Sequence, residues 1–289
     1  MGVFRKSGAE RELAAGLYVT ATPIGNARDI TLRALDVLAG CDLIAAEDTR
    51  VTAKLLAIHG ISRPLTAYND HNGARERPKL LARLRHGARV ALVSDAGTPL
   101  VSDPGFKLVR EALAEGVPVQ AVPGASATLT ALALAGLPTD RFLFAGFLPS
   151  RAGERGATLG ELKAVRATLI FFESAQRLAA SLAQMHEVLG DRAVVVTREL
   201  TKLHEEVRRG TLQFLAGQYA CEAPPRGEVT ILVGPPAEAV ADIARIDALL
   251  DGALPFMPVR AASELIALAL DMPRKEIYER ALAKKSDEG

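Results

Sequence analysis

Short runs of apolar and β-branched residues alternate along the chain with longer stretches in which apolar residues recur every three or four positions. The short runs predict strands, and the longer stretches predict amphipathic helices. This alternation is typical of α/β units built around a largely parallel sheet. Over the first half we predict strands at Leu17–Thr22, Asp42–Ala46, Arg89–Ser94 and Val117–Val122, and helices at Asp29–Leu38, Thr49–His59, Ala74–Arg85 and Asp103–Ala114.

Two breaks divide this pattern. A second α/β series follows Gly136-Leu137-Pro138, and Gly234-Pro235-Pro236 ends the strands, because proline fixes φ and donates no backbone hydrogen bond. The predicted elements beyond the first break are strands at Phe142–Phe147, Thr168–Phe172, Ala193–Arg198 and Glu228–Val233, and helices at Glu154–Val165, Ala175–Leu189, Ala261–Leu270 and Arg274–Lys284. We therefore predict a flexible leader over residues 1–16, one α/β domain over 17–138, a second α/β domain over 139–234 and a small helical C-terminal domain over 235–289.

Composition excludes several classes of protein. The 289 residues include 35 basic and 34 acidic side chains, so the formal net charge is +1 and any surface for a polyanion must be local. Aromatic residues make up 4% and Trp is absent, which argues against a protein that stacks single-stranded bases on aromatic rings. Cys41 and Cys221 stand alone, which excludes a disulfide framework or a cysteine-rich zinc module. No apolar run reaches membrane-spanning length, so we expect a soluble protein. The two isolated cysteines fit a reducing cytoplasm, and we expect no bound metal.

Three loops carry the candidate chemistry. The segment VSDAGTPLVSDPG (93–105) runs from a predicted strand to a predicted helix, and residues 20–26 and 122–127 form similar loops. In open α/β sheets ligands bind beyond the carboxyl ends of the strands, so the three loops predict one pocket. None of them has the spacing of a Walker or dinucleotide-binding loop. Each loop taken singly is also explained as a simple turn.

The strings LYVTATPIGNARDITLRAL, AEDTR, SDAGTPLVSDPG, VPGASA, FAGFLP, FFESAQRL and RELTKLHEE closely resemble the ribosomal RNA small-subunit 2′-O-methyltransferase I family, a branch of the tetrapyrrole-methylase superfamily. The resemblance runs from Leu17 to Val233, and the terminal helices resemble that family's small C-terminal domain. Ala175-Gln176 departs from the Pro-His that relatives usually have there.

The resemblance implies S-adenosylmethionine bound in a cleft between two α/β domains, a cytidine in the decoding region of small-subunit ribosomal RNA or of the assembled 30S subunit as the 2′-O-methylation target, and a homodimer. Carried over residue by residue, the cofactor-binding positions are Pro23, Ala96, Gly97, Val101, Ser126, Ala127 and Phe172.

Methyl transfer to a ribose hydroxyl requires a proton acceptor, which can be a lysine of lowered pKa or a carboxylate, while arginines hold phosphates. We predict Glu173, Arg177, Arg198 and Lys202 as the catalytic group, because they follow second-domain strands that would overhang the cofactor loops. Asp48, His71 and Asp95 are the next candidates. A surface ion pair is the structural alternative for Lys202.

Six basic residues between Arg75 and Arg89, opposed by one acid, predict a phosphate-binding surface together with Arg151 and Arg155. The alternative is an ordinary helix surface neutralised by acids elsewhere.

Two other functions compete with the leading one: a tetrapyrrole carbon methyltransferase on the same fold, and a DNA-binding protein that uses the basic C-terminal helix pair. That pair can equally be a helical hairpin without a nucleic-acid role.

Overall fold

A computed structural model describes residues 13–100, 105–236, 243–270 and 272–287. The chain divides into two units, Met1–Pro235 and Pro236–Gly289. No helix in these described ranges is long and apolar enough to cross a membrane. Most of the predicted leader falls outside the described residues, and its last position, Gly16, already begins the first strand.

The first sheet is parallel throughout, with strand order β3-β2-β4-β1-β5. Its strands are β1 (Gly16–Thr20), β2 (Leu43–Ala46), β3 (Leu65–Ala67), β4 (Arg89–Val93) and β5 (Val119–Val122), and its helices are α1 (Leu32–Gly40), α2 (Thr49–Ile58), α3 (Gly73–Arg85) and α4 (Phe106–Ala114). Leucines of α3 and α4 pack on one face, and apolar residues of α1 and α2 pack on the other. Burial on both faces explains why the strands are continuous apolar runs.

The second sheet is mixed, with strand order β6-β7-β10-β8-β9. Its strands are β6 (Phe142–Phe147), β7 (Thr168–Ser174), β8 (Ala193–Arg198), β9 (Glu206–Thr211) and β10 (Glu228–Val233), and its helices are α5 (Ala127–Ala135), α6 (Ala152–Leu162), α7 (Leu178–Leu189) and α8 (Leu212–Cys221). Only β6 and β7 pair in parallel. Helices α6, α7 and α8 cover one face, and α5 covers the other together with Ile24 from the loop after β1.

Sequence analysis missed four elements of this unit, namely β3, α5, β9 and α8. Strand β3 has only three residues, too few to show a periodic pattern. Strand β9 is charged, because it is an edge strand whose Arg208 side chain binds Glu206 at 2.6 Å and Glu222 at 2.8 Å. Helix α8 follows it directly. With these additions the predicted α/β fold class is confirmed.

The second unit contains α9 (Ile243–Ala253), α10 (Val259–Leu270) and α11 (Arg274–Asp287). Ile246, Leu250, Ile266 and Ile277 form its small core. Arg280 of α11 makes a two-pronged ion pair with Asp247 of α9, at 2.6 and 2.7 Å. Lys284 also pairs with acids of α9. These two cations are therefore neutralised within the unit, which favours the hairpin alternative over a phosphate-binding face.

Candidate active site

The three predicted loops follow adjacent strands, β4, β1 and β5, and they meet at the carboxyl edge of the first sheet. Thr22 and Gly97 exchange two backbone hydrogen bonds, of 2.9 and 3.0 Å. The Thr98 hydroxyl donates to the Ala125 carbonyl at 3.1 Å. Gly97 has a φ of +76°, in the left-handed region that favours glycine. The structure thus connects the three loops directly.

Two adjoining cavities lie near these loops. The larger cavity, of about 680 Å³, lies between the loops and the second sheet. Its volume is within the roughly 300–1,000 Å³ typical of small-molecule sites. The lining consists of Ile24, Glu47, Asp95–Thr98, Ser126–Thr128, Phe147, Phe172–Gln176 and Pro225–Thr230. The lining includes Ala96, Gly97, Ser126, Ala127 and Phe172, whereas the predicted Val101 lies outside the described residues.

The larger cavity offers groups that suit the parts of S-adenosylmethionine. Phe172 packs edge-to-face against Phe144 and Phe147, with ring centroids 4.8 and 5.6 Å apart, and forms an apolar wall for a purine. The buried Thr128 hydroxyl has no hydrogen-bond partner among the described residues, so it can bond a ligand. Glu47 adds a carboxylate for an ammonium group. The residues present therefore fit this cofactor.

A smaller cavity of about 280 Å³ adjoins the larger one. The two share Ile24, Asp95, Ala96 and Glu228. The rest of the smaller cavity is lined by Thr22, Pro23, Gly25, Ala27, Val51, Thr52, Leu55, Ile58, Ser94 and Lys202. Two of the predicted site residues, Pro23 and Lys202, thus line the smaller cavity rather than the larger one.

Two carboxylates at the cavities, those of Glu47 and Asp95, accept hydrogen bonds from backbone N–H groups. Asp95 accepts the Asp48 backbone N–H at 2.9 Å, and its own N–H donates to Glu47 at 3.2 Å. Burial raises the pKa of both Glu47 and Asp95, and the negative charge of Asp48 adds to the effect. Asp48 differs, because hydrogen bonds from the Arg50 side chain and backbone lower its pKa to about 2. Glu47 follows β2 as Asp95 follows β4, so the ends of two paired strands place both carboxylates at the site.

Lys202 is held by two acids. Its Nζ lies 2.9 Å from Glu199 and 2.8 Å from Glu228. Burial lowers the pKa of Lys202, but the hydrogen bonds and charges of these two glutamates outweigh burial and raise it above its ordinary value. Lys202 is therefore a fixed ammonium group at neutral pH, and of the two proton acceptors considered above the structure favours a carboxylate.

The loop that carries Lys202 is strained. Glu199 and Thr201 have φ values of +50° and +65°, which are uncommon for residues with a side chain and most unfavourable for β-branched threonine. Contacts across the cleft hold the loop, since the Thr201 hydroxyl accepts the Asn26 backbone N–H at 3.2 Å. A side chain at Gly25 would overlap Lys202, and one at Gly227 would overlap Glu199.

Glu173 lines the larger cavity, but its carboxylate is fully engaged. One oxygen accepts from Arg177 at 2.6 Å and from the Ser174 N–H at 2.7 Å, and the other accepts from Ser181 at 2.6 Å. The Glu173 side chain is 0% exposed. These bonds make it a support for the turn after β7 rather than a free base.

The remaining candidates lie outside both cavities. Arg177 and Arg198 line neither of them, and Arg198 binds Glu206 at 2.9 Å and the Arg226 carbonyl at 3.1 Å. His71 is exposed on its loop and also lines neither cavity.

The predicted phosphate-binding cations are mostly paired. The ion pairs are Arg75–Glu76, Lys79–Glu76, Arg77–Glu111, Arg85–Glu115 and Arg89–Asp42. Arg151 pairs with Glu154, and Arg155 is buried against Gln184 at 2.5 Å. The alternative of a neutralised helix surface therefore accounts for most of this group, and Arg155 cannot reach a phosphate where it lies.

Comparisons with known proteins give a consistent family. The model of the Tetrapyrrole (Corrin/Porphyrin) Methylases matches residues 16–216, and that of the RsmI C-terminal HTH domain matches residues 240–285. The chain is 52% identical to "Ribosomal RNA small subunit methyltransferase I" of Mesorhizobium japonicum, over 96% of this chain and 95% of that protein. It is 43% identical to the protein of the same name from Escherichia coli O157:H7, over 93% and 95%.

Solved structures share the fold at low sequence identity. Diphthine synthase superposes with a TM-score of 0.60 at 16% identity, over 75% of this chain and 89% of that one. Uroporphyrin-III C-methyltransferase from Thermus thermophilus, complexed with S-adenosylhomocysteine, gives a TM-score of 0.53 at 20% identity, over 80% and 99%.

The first prediction concerns the larger cavity as the site of S-adenosylmethionine. Gly97→Leu places a side chain at a lining position, so calorimetry is expected to show at least a tenfold weaker Kd. Gly116→Leu is the matched control, because Gly116 has nearly the same φ, +74°, but faces open space. Both variants carry the strain of a left-handed side chain, roughly 1–2 kcal/mol. An unchanged Kd in folded Gly97→Leu would place the cofactor elsewhere.

Proposed function

The chain belongs to the tetrapyrrole methylase family and, within it, to the ribosomal RNA small subunit methyltransferase I family, and from that premise we propose that it uses S-adenosylmethionine to methylate the ribose 2′-oxygen of a cytidine in the decoding region of small-subunit ribosomal RNA. Its substrate is the ribosomal RNA or the assembled 30S subunit, in the cytoplasm.

The observation that carries this proposal is the pair of charged groups beside the larger cavity. Asp95 lines both cavities, and Lys202 lines the smaller one. Methylation of an alcohol needs both a base and a means of holding a polar, phosphate-flanked substrate. A tetrapyrrole carbon methyltransferase is the alternative, but the smaller cavity of about 280 Å³ suits one nucleoside better than a ring of four pyrroles.

When bound, S-adenosylmethionine supplies a methyl group on a sulfonium: the ribose oxygen gains the methyl, the carbon–sulfur bond breaks with its electron pair left on sulfur, and the hydroxyl proton passes to a base of the chain. We assign that base to Asp95, because its carboxylate is open to both cavities and its raised pKa makes it a better proton acceptor than an ordinary aspartate. The backbone N–H of Asp48 orients one of its oxygens.

Lys202 and Glu173 take different parts in this proposal. The ammonium of Lys202 stabilises negative charge that develops on the ribose oxygen, and Glu199 with Glu228 fixes its position. Glu173, Arg177 and Ser181 hold the turn after β7 that forms one wall of the larger cavity. Arg198 is a positioning residue that ties the strained loop to the Arg226 backbone.

The substrate is tested by mapping ribose methylation in small-subunit ribosomal RNA. Cells that lack this protein are expected to lose one 2′-O-methyl, on a cytidine of the decoding region, by mass spectrometry of nuclease fragments. Re-expression of the chain restores it. An unchanged methylation map would refute the proposed substrate.

The role of Asp95 is tested by single-turnover methyl transfer at saturating RNA. Asp95→Asn keeps an acceptor for the Asp48 N–H but cannot take a proton, so the rate is expected to fall by about 10²-fold or more. Asp48→Asn is the matched control, since Asn still caps α2 and Asp48 lines neither cavity. If both variants transfer methyl at the parent rate, Asp95 is not the base.

The pH dependence of the methyl-transfer rate tests the role of Asp95 independently. Deprotonated Asp95 is the active form, so the rate falls as pH decreases through its pKa. Because burial raises that pKa, the acid limb is expected at higher pH than the ordinary value of 3.8 would give. The pKa of Lys202 is raised above 10.5, so no loss of rate is expected up to about pH 9.

We further propose that the chain is a homodimer through its second α/β half. The edge strand β6 exposes Phe142 by 43%, and exposed apolar side chains on an edge strand favour association. Sedimentation velocity at micromolar concentration is expected to give twice the 30.6 kDa of one chain. A monomer throughout this concentration range contradicts the proposal.

A further inference from the structure

The smaller cavity has an apolar wall that the proposed chemistry does not use. Val51, Leu55 and Ile58 lie at positions i, i+4 and i+7 of α2, so they share one helix face. They line the smaller cavity and not the larger one. Val51 is 40% exposed and Ile58 is 65% exposed, which leaves an open apolar surface at the entrance.

The other wall of this cavity is polar and adjoins the proposed reaction site. Asp95 and Glu228 belong to the wall shared with the larger cavity, and the Lys202 Nζ lies 2.8 Å from Glu228. Pro23 and Ile24 complete the lining from the loop after β1. The smaller cavity therefore joins an apolar surface to a polar, charged wall, the combination that a base and its ribose require.

Its size limits what can enter. At about 280 Å³ it lies just below the roughly 300 Å³ at which pockets for drug-sized ligands begin. Enzymes that act on one nucleotide commonly take it out of the stack and hold its base between apolar or aromatic side chains. Single-stranded RNA presents such unstacked bases more readily than a duplex does.

Two exposed cations are neighbours in sequence of residues that line the smaller cavity. Arg28 follows the lining residue Ala27, and Lys54 precedes the lining residue Leu55. Both are exposed, and neither has an acidic group within 4.0 Å in the described part of the chain. The two segments that carry them are in contact, because His59, which follows α2, has its Nε2 3.2 Å from the Ala27 carbonyl. This distinguishes them from the cations of α3, most of which are neutralised by acids.

We propose that the smaller cavity receives one unstacked nucleoside of an RNA strand, with its base against Val51, Leu55 and Ile58 and its ribose between Asp95 and Lys202. Arg28 and Lys54 contact the phosphates that flank this nucleoside. The inference rests on the proposed function, because it takes the acceptor to be RNA, and it adds how that acceptor is held.

The cavity is tested by filling it from its exposed side. Val51→Trp narrows the entrance, whereas Ala53→Trp is a matched control on an exposed position of α2 outside both linings. Methyl transfer is measured with radiolabelled S-adenosylmethionine and small ribosomal subunits from cells lacking the protein. Val51→Trp is expected to weaken apparent subunit affinity at least tenfold with an unchanged calorimetric Kd for S-adenosylmethionine, and Ala53→Trp is expected to change neither.

Three results would contradict either the nucleoside proposal or the proposed function. If Val51→Trp binds subunits as tightly as the parent protein does, the nucleoside does not enter the smaller cavity. A weakened Kd for S-adenosylmethionine in Val51→Trp, with Ala53→Trp unaffected, assigns the cavity to the cofactor instead. Absence of methyl transfer to subunits by the unmodified chain counts against the proposed function itself, so the two failures are distinguishable.

The phosphate contacts are tested by the salt dependence of RNA binding. Each lost contact to single-stranded RNA lowers the slope of log affinity against log salt by about 0.7, and by about 0.9 for a duplex. Arg28→Gln with Lys54→Gln is expected to lower the slope by about 1.4 to 1.8. Arg75→Gln with Lys79→Gln removes the same charge from α3, where Glu76 pairs both cations, and is expected to leave the slope unchanged. The reverse result would place the RNA backbone along α3 and refute the assignment.

Discussion

The contact between the loop after β1 and the strained loop after β8 determines how the two sheets enclose the site. Gly25 provides the space for Lys202, and Ile24 and Leu200 share a core cluster with residues of the second sheet. Thr201 keeps a left-handed backbone while its hydroxyl accepts the Asn26 N–H. Backbone strain of this kind persists only where surrounding contacts over-determine it. Both cavities border on this junction, so their shapes depend on it.

The second constraint is the parallel arrangement of the first sheet. Because β4, β1 and β5 are neighbours, their carboxyl ends bring three loops from distant parts of the sequence to one edge. Residues 47 and 95 likewise follow the paired strands β2 and β4. Burial is the main cause of the raised pKa of both carboxylates, and repulsion from Asp48 adds to it in each case. The topology thus creates an acid with an unusual affinity for protons beside the larger cavity.

Features that depend on residues close in sequence could be predicted, whereas features that depend on residues far apart in sequence could not. The loops were predictable because strand ends, glycines and prolines are local signals, and five of the seven predicted cofactor positions line the larger cavity. The protonated state of Lys202 could not be predicted, because its partner Glu228 lies 26 residues away in sequence. The Glu173 carboxylate is engaged by Ser181 of the next helix. Cations of α3 are paired with Glu111 of α4 and with Glu115, the residue that follows α4. A count of charges along one segment cannot detect such pairing.

The arrangement of the two cavities also bears on how one fold serves different substrates. The larger cavity is formed in good part by loop backbone and small side chains, which can change little without losing the Thr22–Gly97 hydrogen bonds. The wall of the smaller cavity is instead formed by side chains on one face of α2, which can vary without disturbing the sheet. Fold alone therefore does not determine the substrate. In this chain the α2 face is aliphatic, and the smaller cavity that it borders, of about 280 Å³, suits one nucleoside better than a ring of four pyrroles.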